Sequence, residues 1–374
     1  MKKIGIVTMY NNYNYGSILQ CYALQKAIEK MRVETVALNQ KENVIKWKII
    51  RLYRVVRFII SCIRFPQRIA LQIKTMAESQ RSCREIPNET RIKMDRFIEN
   101  EIQTESISFS LLKKQDKDYA AFICGSDQIW SMAAPLLNPF MFARFTNREK
   151  RYSYAASLGA DYCPAWHKRL LARWLKEFKV VSVRETESKQ LLEKIGVLSV
   201  QNHCDPVLLL DAQEWMGKTQ KIDKGKYAFL YFLNAPTNET IRHIEQICYR
   251  ENVSKFVSAP YDFKIDLSNV EKMNLSPEEF LGAIANAEFV FTDSYHGMLF
   301  SMIFHTRFYV FEREYTHNMP QNSRFRTIYE RMIIEKYNLN NSIIHFVKQF
   351  DSISSSILEM RNDATTYLRS IIDD

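Results

Sequence analysis

Short apolar runs of strand length alternate with stretches of helical periodicity along most of this chain. That alternation constrains its fold more than any other feature. Residues 3–8 (Lys-Ile-Gly-Ile-Val-Thr) make an apolar run, residues 18–31 carry apolar side chains at helical spacing, and residues 33–38 return to a strand pattern. This is a βαβ unit. Further strands are expected at 119–124, 151–157 and 179–183, with helices at 164–178 and 187–195 between them. The polar stretch 211–226 reads as a linker, after which the alternation starts afresh: strands at 227–233, 255–258, 288–292 and 307–311, helices at 239–251, 277–287 and 296–304. Ser276 is placed to cap the helix that begins at Pro277. Strands separated by helices form parallel sheets covered on both faces.

The expected architecture is therefore α/β, with two Rossmann-like domains facing a cleft. An N-terminal domain would span 1–215, with a basic helical insertion at about 45–100. A C-terminal domain would span 225–345, and a helix over 346–374 would pack back onto the first domain. At 374 residues there is chain enough for both. Nine glycines and ten prolines are too few for a turn-dense all-β protein. In tandem α/β sheets, ligands bind beyond the carboxyl ends of the strands.

The net charge of +10 is concentrated. Between Lys46 and Arg84 there are ten cations (Lys46, Lys48, Arg51, Arg54, Arg57, Arg64, Arg68, Lys74, Arg81, Arg84) against one acid, Glu78. From Ile49 to Arg68 the arginines fall at 51, 54 and 57 and again at 64 and 68, in steps of three or four within each group, with Ile50, Val55, Val56, Ile59, Ile60 and Ile63 filling much of the rest. This predicts a basic amphipathic helix, ended or kinked at Pro66, that either packs on the first domain or meets an anionic surface. Nucleic acid is disfavoured because aliphatic residues dominate there.

No stretch of about 18 residues is both apolar and uncharged, so a membrane span is not expected. The N-terminal apolar run is too short for a signal peptide. The seven cysteines are odd in number and contain no C-x-x-C pair, which suggests neither a disulfide framework nor a zinc site. A cytoplasmic protein without metal or other cofactor is the expectation.

Three loops at strand ends carry chemistry-capable side chains. Gly125-Ser-Asp-Gln-Ile-Trp130 follows an apolar strand; Asp127 could merely cap a turn, while Gln128 and Trp130 add the polar hand and aromatic platform typical of sugar sites. Arg184 ends the strand Val180–Val183 and is either a surface cation paired with Glu185 or Glu187, or a planar fork for a carboxylate or phosphate. Asp293-Ser-Tyr-His-Gly297 leaves a strand and opens a helix, which puts His296 in a first turn that favours anions. In the first βα turn, Asn14 and Gly16 occupy the matching place.

At these residues the chain resembles the polysaccharide pyruvyl transferase family, over roughly residues 1–335. Seven pieces occur in family order: Gly5 to Leu24 with its Asn-Tyr-Gly turn, Gly125 to Trp130, Tyr154 to Gly159, Ser182 to Glu185, Asp205 to Leu209, Thr292 to Gly297, and Asn322-Ser-Arg324. The resemblance implies a GT-B-like two-domain fold and transfer of the enolpyruvyl unit of phosphoenolpyruvate to a sugar as a cyclic ketal. It implies that Arg184 holds the donor, with Arg324 as a second cation and Asn14, Gly16, Ser294 and Gly297 lining the donor site. His296 would be general acid or phosphate ligand, Asp127 or Asp293 the base, and Gln128 and Trp130 would meet the acceptor. One position departs: the family's Arg-x-His-Gly has Ser294 in place of its arginine.

The acceptor is expected to be galactose in a bacterial capsule or other surface-polysaccharide precursor, carried on a polyprenyl diphosphate. The enzyme would then sit peripherally on the inner face of the cell membrane, held through Lys46 to Arg84. The competing readings are a GT-B nucleotide-sugar glycosyltransferase and a nonenzymatic binder built on the basic segment.

Overall fold

The computed structural model describes residues 2–41, 55–56, 58–66, 69, 86–260, 265–311, 323–332, 335–339, 342–346 and 350–374, with backbone alone at 323–324, 335–339 and 342–345. Two Rossmann-like sheets stand in tandem, the GT-B-like arrangement expected. The first has strands β1 (Lys3–Val7), β2 (Thr35–Gln40), β3 (Thr104–Ile107), β4 (Tyr119–Cys124) and β5 (Arg151–Ser153), all parallel, in the order β3-β2-β1-β4-β5. Single bridges at Tyr152–Val180 and Ala156–Val183 continue it into the short pair β6 (Ser182–Val183) and β7 (Gln201–Asn202).

Alternate side chains of these strands enter different cores, as a pleated strand requires. Ile4, Ile6, Ala37 and Ile123 go to one cluster; Val7, Val36, Leu38 and Phe122 go to the other. Both faces are covered, which is why the strands read as continuous apolar runs.

The second sheet comprises β8 (Ala228–Tyr231), β9 (Phe256–Ser258), β10 (Val270–Lys272), β11 (Phe289–Thr292), β12 (Phe308–Phe311), β13 (Glu335–Leu339) and β14 (Ser342–Phe346). Its order is β10-β9-β8-β11-β12-β14-β13. The first five strands are parallel, and β14 and β13 close the edge as an antiparallel ribbon that the sequence pattern does not announce.

The helix Tyr15–Glu29 lies between the sheets. All of its residues from Tyr15 to Gln25 are buried, so it is covered all round rather than amphipathic, with Ser17, Gln20 and Gln25 hydrogen-bonded inside. The core that begins at Ile4 and Ile6 continues through this helix to Phe229 and Tyr231 of the second sheet and Leu299 of the helix Tyr295–Ile303. Tyr15 stacks on Phe280 at 4.3 Å, and its hydroxyl donates to the Leu275 carbonyl at 2.8 Å.

The stretch read as a linker carries structure: a helix over Ala212–Met216, closed by a capping box of Asp211 and Glu214, buries Trp215 against Phe300. The terminal helix Asp351–Ile372 contacts the first sheet and the turn after β7. Tyr367 donates to the Ser153 carbonyl and stacks on His203, while Arg361 donates to the carbonyls of Leu208 and Leu210. Among the described residues, no helix is long and apolar enough to cross a membrane.

Candidate functional site

Each parallel sheet reverses its strand order once, and loops diverge from that point to leave a binding position. In the first sheet the reversal lies between β1 and β4, in the second between β8 and β11.

The first switch point is tied into one body by hydrogen bonds. Thr8 Oγ1 donates to the Ser126 carbonyl at 3.1 Å, and Gln20 Nε2 donates to Thr8 Oγ1 and to the Met9 and Ser17 carbonyls. Asn14 caps the Tyr15 helix, its side-chain oxygen accepting from the Ser17 amide. Such a cap contributes about 1 kcal/mol. The Ser17 hydroxyl then donates to Asp127 Oδ2 at 2.5 Å.

At the second switch point, Asp293 accepts from the amides of Leu233 and Asn234 at 2.5 and 3.0 Å, binding the β8 and β11 loops together. Ser294 caps the helix Tyr295–Ile303, accepting from the Gly297 amide. His296 therefore projects from a first turn directly onto the opposite domain, where Gly16 meets it. A Cβ at Gly16 would stand 2.0 Å from His296 Nδ1, so a glycine is required for the two helix starts to approach this closely.

Behind the imidazole lies Asp205. His296 Nε2 is 3.5 Å from Asp205 Oδ2, and Arg184 Nη1 donates to the same oxygen at 2.6 Å. Asp205 Oδ1 accepts from the Val207 amide and so caps the turn Pro206–Leu209. Burial pushes the Asp205 carboxyl up, but the charge of nearby His296, with Arg184 and the Val207 amide, outweighs it and holds the group down at about 2. Arg184 also donates from Nε to Glu185 at 3.1 Å, and its guanidinium lies 4.6 Å from the Tyr295 ring centre. Two buried nitrogens, Arg184 Nη2 and His296 Nε2, have no hydrogen-bond partner among the described residues. Unpaired buried donors beside two helix N-termini make a place for an anion.

The structure thus gathers Gly16, His296, Arg184 and, through Ser17, Asp127. It corrects several expectations. Trp130 is no acceptor platform: it is fully buried, stacked on Phe142 at 5.2 Å, with its indole N–H given to the Met141 carbonyl. Asp293 has both oxygens engaged by backbone amides of its own domain, where Asp127 has one amide and one hydroxyl.

Gly297 serves packing: a Cβ there would stand 2.7 Å from Thr292 Oγ1 and 2.9 Å from Tyr231. Asn14 and Ser294 spend their side chains on helix caps. Arg184 is not a free fork, since Nη2 alone remains to meet a ligand. Gln128 is half-buried against Gly159, next to Asp127, whose Oδ1 accepts its amide. The Arg324 side chain and Asn322 lie outside the described residues.

Sequence reasoning missed Asp205, Ser17 and Tyr295. Asp205 opens a run of five apolar residues, Pro206 to Leu210, and a carboxylate at the head of such a run must find a cation or donor when it is buried. That was the available signal. Among the described residues no cluster of three or more His, Cys, Asp or Glu is arranged to hold a metal ion. A surface pocket of about 380 Å³ lined by Cys248, Tyr249 and Asn269 lies at the amino ends of β9 and β10, away from these groups.

A model of the polysaccharide pyruvyl transferase family matches residues 14–315. No curated protein matches the sequence significantly. Among solved structures, UDP-N-acetylglucosamine 2-epimerase from Rickettsia bellii matches with a TM-score of 0.47 at 11% identity, covering 100% of this chain and 96% of that one. The UDP-GlcNAc 2-epimerase from Methanocaldococcus jannaschii gives a TM-score of 0.44 at 10% identity, covering 82% and 83%. The enzyme from Neisseria meningitidis bound to UDP-GlcNAc gives 0.38 at 10%, covering 79% and 78%.

Proposed function

The chain belongs to the polysaccharide pyruvyl transferase family, and from that premise we propose that it moves the enolpyruvyl group of phosphoenolpyruvate onto two hydroxyls of a sugar, forming a cyclic ketal and releasing phosphate. The observation that carries this reading is the buried, unpartnered Arg184 Nη2, beside His296 and two helix starts. A compact trianion carrying carboxylate and phosphate suits that environment.

In the reaction, a proton adds to the methylene carbon of the donor and leaves a methyl group. Carbon 2, now oxocarbenium-like, takes one sugar oxygen, loses phosphate, and takes the second. Each hydroxyl gives up its proton, one balancing the proton consumed and one leaving with phosphate. His296 is assigned the acid role. Asp127 is assigned the base role: its carboxylate already accepts a hydroxyl proton bond from Ser17, the geometry a sugar hydroxyl would need. Arg184 holds the donor through Nη2, and Arg324 is carried as a second donor contact on the resemblance alone. With Ser294 where relatives have arginine, the site has fewer cations of its own.

The acceptor proposed is galactose of a lipid-linked precursor, with Gln128 beside it. Mass spectrometry of a lipid-linked galactoside incubated with enzyme and phosphoenolpyruvate should show a gain equal to pyruvate less one water. Transfer of a hexose from a nucleotide sugar instead would make the chain a glycosyltransferase.

The membrane reading belongs here too. Val55, Val56, Ile59, Ile60 and Ile63 are exposed, while Cys62 is buried and Phe65 contacts Trp166. Of the segment's cations Arg64 is described and exposed; the others lie outside the described residues. An aliphatic face in a stretch worth nine positive charges suits an anionic bilayer at about 1 kcal/mol per cation. Vesicle sedimentation should show binding that rises with anionic lipid and falls with salt. Indifference to such vesicles at low salt would make the segment structural.

A further inference from the structure

We infer that Asp205 is a positioning residue for His296, holding its imidazole with the proton on Nε2 so that Nδ1 is the nitrogen that meets the substrate. The inference rests on the assignment of His296 to the reaction above. It deepens that assignment by naming the atom.

The geometry comes from three elements of the two domains. Asp205 caps the turn after β7, and Val207 fixes its Oδ1. Oδ2 is then left for two groups, Arg184 Nη1 at 2.6 Å and His296 Nε2 at 3.5 Å. The guanidinium is itself held, by Glu185 on one side and the Tyr295 ring on the other, so the carboxylate cannot follow a moving imidazole. A histidine nitrogen facing a carboxylate carries the proton, and the partner thereby selects the tautomer. The distance of 3.5 Å is long for a hydrogen bond but short for a charge contact, and it orients the Nε2 edge of the ring toward the carboxylate.

Gly16 packs over the ring on its Nδ1 side, where a Cβ would stand 2.0 Å from Nδ1 and 2.3 Å from Cγ. This is the N-terminus of the Tyr15 helix, where an anion is favoured. One ring nitrogen is thus assigned to Asp205, and the other faces the place expected for the donor. The residues that decide this are all buried, and they come from both halves of the chain.

The test is a side-chain nitrogen–proton NMR spectrum of the full chain, unliganded and labelled with ¹⁵N-histidine. His296→Gln identifies the relevant signals among the seven histidines. The wild type should show Nε2 protonated and Nδ1 bare in the neutral ring. In Asp205→Asn the amide oxygen stays with Val207, and the amide N–H₂ that replaces Oδ2 is a donor, so the tautomer should switch to Nδ1–H.

Gly16→Ala gives a second route that leaves the carboxylate in place. Its Cβ displaces the ring, and the single Nε2–H state should be lost. Under phosphoenolpyruvate-dependent turnover, Asp205→Asn should lower kcat by on the order of 10²- to 10⁴-fold with KM for the donor nearly unchanged, the loss seen when a histidine is left in the wrong tautomer.

A protonated Nδ1 in the wild type, or an unchanged spectrum in both variants, would overturn the inference. If the wild type shows Nε2–H yet forms no ketal, the proposed reaction fails while the positioning stands. If ketal forms with Nδ1 protonated, the reverse holds.

Discussion

The loop after β4 and the loop after β11 occupy the same place in their sheets, each at the point where strand order reverses. Each is an Asp-containing turn that follows an apolar strand. Their carboxylates do different work. Asp293 accepts from two backbone amides and fastens its own domain. Asp127 accepts from one amide and from the Ser17 hydroxyl, which belongs to the helix lying between the domains. Topology tells which loops face a binding position; the kind of partner, two backbone amides against one amide and a hydroxyl, separates the two carboxylates.

The comparison breaks most readily at Asp127. Asp127→Asn keeps shape and removes charge, so turnover should fall on the order of 10²- to 10⁴-fold while donor affinity is kept. Steady-state kinetics with a titrated donor read this out, and full activity would strip the loop after β4 of its special status.

Asp293→Asn should behave oppositely. One of two partly buried amides loses its acceptor, at a cost of about 1 kcal/mol. Thermal unfolding should move down, whereas kcat of the folded fraction stays near wild type. Loss of turnover at unchanged stability would put Asp293 back among the chemical residues.

Acid sharpens the contrast between the halves. Burial holds the His203 imidazole down at about 4, between Tyr154 and Tyr367. A histidine with a lowered folded value supports the fold fully above its unfolded value of about 6.5 and loses that support as pH falls toward 4. The interface with the terminal helix should therefore weaken over that window. Asp205, held at about 2, gives up its own contribution only as pH falls from about 4 toward 2. Stability measured against pH should lose its upper component in His203→Phe, and retention of that component would contradict the assignment.

The smallest effect is expected at Trp130. Trp130→Phe gives up the bond to the Met141 carbonyl and some packing, roughly 1–2 kcal/mol, with acceptor KM unchanged. A raised acceptor KM would return the residue to the sugar site.

The alternation of apolar runs and helical periods made both parallel sheets legible, because strands buried on two faces cannot avoid that signature. The ribbon β13–β14 was not legible, since edge strands carry little of it. His296, Arg184 and Gly16 were legible as strand-end and helix-start residues. Trp130 and Asp293 misled because a sequence shows a side chain's capacity and not what its neighbours have already claimed. Asp205 stayed hidden for a related reason. Its partners lie 21 and 91 positions away, and the turn that aims it packs against the Tyr15 helix, which no local pattern announces.

The central claim is that the cleft passes an enolpyruvyl group and not a glycosyl group. Phosphorus NMR of the enzyme with phosphoenolpyruvate, a UDP-sugar and a galactoside acceptor in one tube tests it most directly. The account predicts inorganic phosphate appearing in step with ketal, dependent on acceptor, lost in His296→Ala, with the UDP-sugar untouched. Release of UDP with phosphoenolpyruvate left intact would contradict it.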